Sequence, residues 1–394
     1  MKTNIGVFFG GRSTEHEISV ISASQAMHAI DRSRYDVTPV YITKNGHWHT
    51  GQALLDIANY RDLPSLLAKT EEVYMAPVLG DFNIYRRKKK LFGSQVAARI
   101  DVAIPVFHGN GGEDGVFQGI FESVGIPYAG CGVMSSAVGM DKIMMKLALK
   151  SCGIPVIDFV WFTDKQWFAN QHELTEKIEA QLGYPVIVKP SDLGSSVGIG
   201  TATSREELAQ RVDTAQTYSS RILVEKLVEN LQEINCSVLG DCDECSASIL
   251  EEPIKSGDIL SYEDKYMGGA KGAKGMQASA KRIPADLPQA ETERIQQLAS
   301  KTFQALSCHG VSRVDVIIDR DTRDIFVNEI NTIPGSLSFY LWEASGVTFP
   351  DLMDRLVKLA LKRKREDSMK TESYDHNIFS LQAGIKGAKG PKLG

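Results

Sequence analysis

Two short apolar runs near the C-terminus, Val311 to Ile318 and Ile325 to Ile330, constrain the fold more than any other feature, because charged residues interrupt both at fixed spacing. Asp319-Arg320-Asp321-Thr322-Arg323-Asp324 lies between them and reads as a turn, so an antiparallel hairpin is predicted. Side chains two apart on a strand share a face, which sets Arg313 beside Asp315 and Glu329 beside Asn331. Strand pairing then brings all four together as an oxygen-rich cage next to a fixed cation. Hard divalent metals such as Mg2+ take such oxygens and leave room for water and phosphate. The plain alternative is a solvated strand face. It fits poorly, since Ile317, Ile325 and Val327 are expected on the face of the charges, and Val314, Val316, Phe326 and Ile330 on the other. Carboxylates on strands that are apolar on both faces need a partner or a metal. Asp315, Glu329 and Asn331 are accordingly read as metal ligands.

The rest of the 394-residue chain is long enough for two or three domains with ordinary cores. Its net charge of -5 argues against a nucleic-acid partner. No apolar stretch reaches membrane-spanning length, and Met1-Lys2-Thr3-Asn4-Ile5 runs straight into a strand with no signal-peptide pattern, so a cytoplasmic location without membrane contact is expected. Six scattered cysteines suit free thiols in a reducing compartment. Cys242 and Cys245 form a C-x-x-C with Cys236 upstream, but no fourth ligand lies nearby, and the trio reads as hairpin filler rather than a zinc site.

Along the chain, residues 4–9 are predicted as a buried strand, Gly10-Gly11 as a tight turn and residues 19–30 as a helix. This opening lacks the G-x-G-x-x-G of a dinucleotide site. A second strand, 101–107, runs into His108-Gly109-Asn110-Gly111-Gly112-Glu113-Asp114-Gly115 ahead of a helix over 116–124. Glycines at a strand end before a helix N-terminus suit an anion, and the embedded His and two acids favour a site over a mere chain reversal. A helix over 141–153 follows, then the buried strand Tyr184 to Pro190 with Lys189 at its end, the loop 191–200, a helix opened by Ser204, and a strand 222–224 ending in Glu225-Lys226. Between about 260 and 279 the chain carries Gly268-Gly269-Ala270-Lys271-Gly272-Ala273-Lys274-Gly275, too rich in glycine for regular structure, which reads as a lid or a disordered insert. Lys362 to Arg365 closes the last predicted helix, where basic residues suit the dipole.

With these pieces in order, the chain resembles the ATP-grasp enzymes, and among them the D-alanine–D-alanine ligase family. The resemblance covers residues 4 to about 360. It rests on Gly10-Gly11 with Glu15-His16-Glu17-Ile18-Ser19, on 108–115, Met140-Asp141-Lys142, 185–190, 194–198, Glu225-Lys226, Lys265-Tyr266, Arg313-Val314-Asp315 and 328–335. It implies an α/β, ATP-grasp fold of three α/β domains, with nucleotide between two antiparallel sheets. The expected boundaries are 1–130 for an N-terminal domain, 131–224 for a central subdomain, 225–365 for a C-terminal subdomain with a lid at 260–280, and 366–394 for a flexible tail. It further implies that Lys142 and Lys189 bind ATP phosphates beneath the amides of the 194–198 loop, that Ser196 and Lys265 also bind ATP, that Glu225, Lys226 and Glu233 hold adenine and ribose, and that Asp315, Glu329 and Asn331 bind two Mg2+, with Mn2+ as a substitute. Glu15 would hold the first substrate's ammonium with His108 beside it, Ser195 and Tyr266 would link that site to the lid, and Arg313 with the Gly335 amide would stabilise an oxyanion.

The implied reaction joins two D-alanines through an acyl phosphate for peptidoglycan synthesis, in a homodimer whose partners are amino acids and ATP. One departure touches the acceptor. The segment Gly335 to Tyr340 lacks the family's Thr-Ser-x-Ser, and the serine expected to grip the second substrate's carboxylate aligns with Tyr340, whose phenol can donate the same hydrogen bond. D-Ala-D-Ser, D-Ala-D-lactate or another amino-acid ligase therefore stands as an alternative, and a catalytically silent nucleotide-binding regulator as another.

Overall fold

Three β-sheets, each with its own apolar core, divide the chain in sequence order. The computed structural model describes residues 2–88, 93–194, 197–254, 281–371 and 373–374. The first sheet has seven strands in the order β6-β5-β4-β3-β2-β1-β7. They are β1 (Thr3–Gly10), β2 (Tyr35–Ile42), β3 (Trp48–Thr50), β4 (Glu71–Met75), β5 (Asn83–Arg86), β6 (Val96–Arg99) and β7 (Val102–Phe107). Only β1 pairs in parallel, with β2 and β7, and the central strand β1 and its neighbour β7 are buried almost throughout. That is the pattern of strands covered on both faces. Helix α1 (His16–Ala29) lies on one side, starting three residues earlier than the sequence suggests, and α2 (Val116–Val124) follows β7.

The second sheet, β10-β9-β11-β8, is antiparallel and small: β8 (Phe159–Thr163), β9 (Val186–Pro190), β10 (Gly200–Ala202) and β11 (Arg221–Lys226). Val160, Phe162, Val186, Val188, Ile222 and Val224 bury one face beneath Trp167, Ile178, Leu208 and Val212. The third sheet, β14-β13-β12-β15-β16, is also antiparallel: β12 (Leu231–Gly240), β13 (Cys245–Pro253), β14 (Lys281–Arg282), β15 (Gly310–Asp319) and β16 (Ile325–Asn331). Its core meets α3 (Lys142–Ser151) through Met145 and Leu149, and α4 (Gln289–Ala305) through Ile295, Ala299 and Phe303.

The last helix, α5 (Phe349–Asp367), does not stay with the third sheet. Phe349, Leu352, Met353, Leu356, Val357 and Ala360 join the core of the first. Its basic end is anchored, because Lys362 pairs with Asp241 at 2.6 Å and Arg363 donates to the carbonyls of Gly130 and Tyr128 while lying 4.0 Å over the Tyr128 ring. Cys242 and Cys245 sit at the β12–β13 hairpin. The glycine- and lysine-rich segment, with Lys265 and Tyr266, lies outside the described residues, as do Ser195, Ser196 and 375–394.

The predicted hairpin is β15–β16, with one correction to its faces. Arg313 pairs with Asn331 and Asp315 with Glu329, but a bulge follows and Val316 pairs with Val327. The extra residue is Asn328. Simple alternation would put Ile325 and Val327 on the face of Glu329; the bulge turns them over, and both join Val314, Val316, Ile318 and Ile330 in the core. Phe326 is opposite Ile317 instead of being a core residue. From Val314 onward one face is therefore apolar and the other carries the charges.

Candidate active site

That polar face is the floor of the site. Arg313 forks onto Asp315, with Nε to Oδ1 and Nη2 to Oδ2 both at 2.7 Å, and Asn331 Nδ2 donates to Asp315 Oδ2 at 3.0 Å. Burial pushes the Asp315 carboxyl up to about 6 against the pull of Arg313, and the charges of Glu329 and Glu233 add to the rise. Glu233 reaches this face because it pairs opposite Ile317. Ile317 and Phe326 give the same floor an apolar patch.

Cations come from the second sheet and from α3. Asp141 caps α3, accepting from the amides of Ile143 and Met144, and this fixes Lys142 at the first turn. Lys142 Nζ is 3.4 Å from Glu329 Oε2 and donates to the Leu193 carbonyl at 2.9 Å. Lys189, on β9, donates to Asn328 Oδ1 at 3.3 Å, so the bulge residue ties the two sheets together. Lys189 also pairs with Glu225, which Lys146 meets from the other side at 2.6 Å. Glu225 is fully buried. Burial opposes its ionisation, but the ammoniums of Lys146 and Lys189 hold its carboxyl down at about 2. Lys226 points elsewhere and donates to the Tyr184 carbonyl.

The first sheet supplies the opposite wall. Glu15 is buried where the chain enters α1, and a Cβ placed on Gly109 or on Gly194 would stand 3.1 or 3.2 Å from its Oε2. His108 Nε2 is 2.8 Å from Ser22 Oγ, which also accepts from the Ser336 amide at 3.0 Å. Burial pushes His108 down to about 4, with Glu15 and the Ile333 carbonyl opposing and Arg313 reinforcing the fall. Beyond Gly335, residues Ser336, Leu337 and Ser338 all have φ near +50°, a left-handed turn that costs side-chain-bearing residues energy and is held by burial and the Ser22 bond.

A third group closes the end of the cleft nearest β13. The Tyr340 hydroxyl donates to Glu251 Oε2 at 2.8 Å, and Lys281 Nζ lies 3.4 Å from the centre of the Tyr340 ring. Burial and the Glu251 charge push the phenol up.

Arranged this way, the floor, cations and walls have known counterparts. The family descriptions "D-ala D-ala ligase N-terminus" and "D-ala D-ala ligase C-terminus" match residues 4–131 and 148–358. A D-alanine–D-alanine ligase of Thermosipho melanesiensis is 40% identical over 381 residues, 97% of this chain and 99% of the relative. One from Acetivibrio thermocellus is 39% identical over 93% of this chain and 98% of its own length. The chain belongs to the D-alanine–D-alanine ligase family. The D-alanine–D-alanine ligase structure from Coxiella burnetii has a TM-score of 0.77 at 30% identity over 93% of this chain and 96% of that one; the VanG D-Ala:D-Ser ligase from Enterococcus faecalis matches with the same score and identity over 91% and 100%. The fold is ATP-grasp, and the family is one of ATP-dependent ligases.

Of the residues expected from the D-alanine–D-alanine ligase resemblance, Lys142, Lys189, Arg313, Asp315, Glu329 and Asn331 converge, with Glu15, His108 and Glu233 around them. Three expectations need correction. The Glu225 side chain is a counter-ion turned inward between Lys146 and Lys189, so its carboxylate is taken up by them rather than offered to adenine or ribose. The Tyr340 phenol is spent on Glu251 and does not stand free for a substrate. The acids of the 108–115 loop serve the loop itself, for Glu113 accepts from the Gly109 amide at 2.6 Å and Asp114 from Gly111 at 2.7 Å, which leaves those donors no anion to bind. Sequence reasoning missed Lys146, Glu251 and Lys281. Lys146 had a readable signal: it falls in the apolar stripe with Ile143 and Leu149, where a lysine needs a buried partner.

Proposed function

We propose that this chain ligates D-alanine to D-alanine at the expense of ATP. The observation that carries the reading is the convergence of Lys142, Lys189 and Arg313 on one carboxylate-lined floor, with Glu15 facing them. Lysines suit a polyphosphate, a forked guanidinium suits the charge that develops on a carbonyl or phosphoryl oxygen, and a buried carboxylate suits an ammonium. One carboxylate oxygen of the first D-alanine would attack the γ-phosphorus, releasing ADP and forming an acyl phosphate. The amine of the second would attack that carbonyl and give up a proton, and phosphate would leave as the peptide bond closes. Arg313 and the Gly335 amide would stabilise the oxyanion, and Ile317 and Phe326 would underlie the adenine.

Magnesium fits the donor set. Among the described residues no three His, Cys, Asp or Glu side chains meet closely enough to hold a metal alone. Mg2+ commonly takes one or two carboxylates and completes its shell with substrate phosphate and water. Asp315, Glu329 and Asn331 would hold it, and it would neutralise charge on the transferring phosphoryl group. The like charges that raise Asp315 are the ones such a cation relieves.

The names of the relatives support D-alanine as acceptor over the other acceptors and over a silent regulator. Three sheets support a division near residues 130 and 225. No described helix is long and apolar enough to cross a membrane, which agrees with a cytoplasmic enzyme; a homodimer remains part of the proposal by family likeness. The test is phosphate release from ATP and Mg2+ with a panel of D- and L-amino and hydroxy acids, products identified by mass. Turnover with another pair and none with D-alanine would refute the reading.

A further inference from the structure

We propose that Lys281 receives the carboxylate of the second amino acid, positioned for it by Glu251 and the ring of Tyr340. The inference rests on the ligase reading above and names the group that recognises its acceptor. Strand register supplies the first argument. Asn235 pairs with Asp315 on one side and with Glu251 on the other, and Asp315 pairs with Glu329, so Glu251, Asn235, Asp315 and Glu329 form one row across four strands. Side chains directly opposite in a sheet share a face. The floor of the site thus runs one strand past its catalytic groups and ends at Glu251.

Occupancy of the other directions supplies the second. Around Arg313, the β16 side carries Glu329 and Lys142, and the first-sheet side carries Glu15 and His108, which suit phosphate and the first substrate. Among the described residues, the remaining approach to a carbonyl held at Arg313 is the one flanked by Tyr340 and Glu251, whose carboxylate charge acts on the guanidinium. An amino acid arriving there brings an amine to the carbonyl and must leave its carboxylate farther out.

Chemistry then selects the receiver. The Tyr340 hydroxyl already donates to Glu251 Oε2, where Asn235 Nδ2 also approaches at 3.4 Å, and its lone pairs repel an anion. Glu251 is an anion itself. Lys281 Nζ lies 3.7 Å from Glu251 Oε1 and above the Tyr340 ring, and its side chain is partly exposed, 27%, whereas that of Glu251 is buried. An ammonium has three donors, and a carboxylate below it with an aromatic face beside it fix its place while leaving donors for a second carboxylate.

Three variants and one substrate analogue test this. The two D-alanine KM values are resolved from the dependence of dipeptide formation on D-alanine, and D-alaninamide is offered as an acceptor without the carboxylate. Lys281→Gln should raise the acceptor KM about tenfold or more, with the first-site KM and the ATP KM moving less than about twofold, and should erase most of the preference for D-alanine over its amide. Lys281→Arg should keep that preference. Tyr340→Phe, which retains the ring, should cost less than Lys281→Gln; an equal or larger loss would make the phenol the receiver and overturn the assignment. If wild-type enzyme forms the dipeptide and Lys281→Gln keeps both the acceptor KM and the preference, the proposal fails alone. If wild-type enzyme forms no dipeptide from D-alanine, the ligase reading fails and this proposal with it.

Discussion

Replacing Lys146 by Met tests whether the buried lysine–glutamate–lysine group holds the second and third sheets together. Lys146 extends from α3 beneath the third sheet, and Glu225 and Lys189 belong to the second, so the group spans the cleft. Met fills the space of the aliphatic stem and removes only the charge. The carboxyl of Glu225 drops from 4.5 to about 2, which corresponds to about 3 kcal/mol favouring the ionised form in the fold. Removing one partner of a fully buried pair costs roughly 3–5 kcal/mol. Burial lowers the pKa of the Lys146 ammonium, which offsets part of the gain, and Lys189 remains, so the lower end, about 3 kcal/mol, is expected for Lys146→Met in urea unfolding at pH 7. The pH dependence has a definite sign. Because the folded pKa is depressed, the Glu225 contribution is present above pH 4.5 and is lost as pH falls toward 2; in Lys146→Met the folded pKa rises while the unfolded one stays, so the loss should be smaller and complete at a higher pH. Adding Glu225→Gln should restore part of the stability, since the uncompensated charge disappears. A single variant within about 1 kcal/mol of wild type, or a double variant less stable than the single, would refute the argument.

Other outcomes follow from the same geometry. His108 is neutral in the fold, with a pKa near 4 against 6.5 for a free imidazole, so its burial costs stability as pH falls from 6.5 toward 4, by up to about 3 kcal/mol; His108→Gln should flatten the stability profile over that window, and an unchanged slope would show that the ring is solvated. Glu329→Gln should unfold at nearly the wild-type urea concentration yet lose roughly a hundredfold or more in turnover, because the missing charge is one that neutralises phosphoryl oxygens. Normal phosphate release by that variant would remove Glu329 from the site.

Most of the fold was legible because its elements follow simple periods. The helix 116–124 and the strands around 186–190 and 222–224 stand between clear breakers, and the turn at 319–324 joins two runs of β-branched residues. What failed to show was anything decided by pairing. The bulge at Asn328 leaves no mark in composition, yet it reverses the facing of Ile325 and Val327 and brings Asn328 to Lys189. Motifs located Lys142, Lys189 and Arg313, whereas Glu251 and Lys281 belong to no motif and meet only through the register of β12, β13 and β14. Glu225 was found at its right place in a motif and given a ligand's role, because sequence does not say which way a side chain turns; two lysines beneath it decide that.

The return of the final helix to the first sheet sets an order on how this chain can be built. Six of its apolar side chains join a core made chiefly of residues from β1 to the segment after α2, with Leu239, Val311, Ile333, Leu337, Trp342 and Val347 also contributing from later in the chain. During synthesis the first sheet is out of the ribosome after Phe107, but Phe349 follows 242 residues later (349 minus 107). At roughly 5–20 residues per second that gap lasts about 10–50 s. Throughout it the nascent sheet holds an open apolar flank, and the two later sheets form while tethered to an unfinished partner. A chain cut short before residue 349 therefore keeps that part of the flank open.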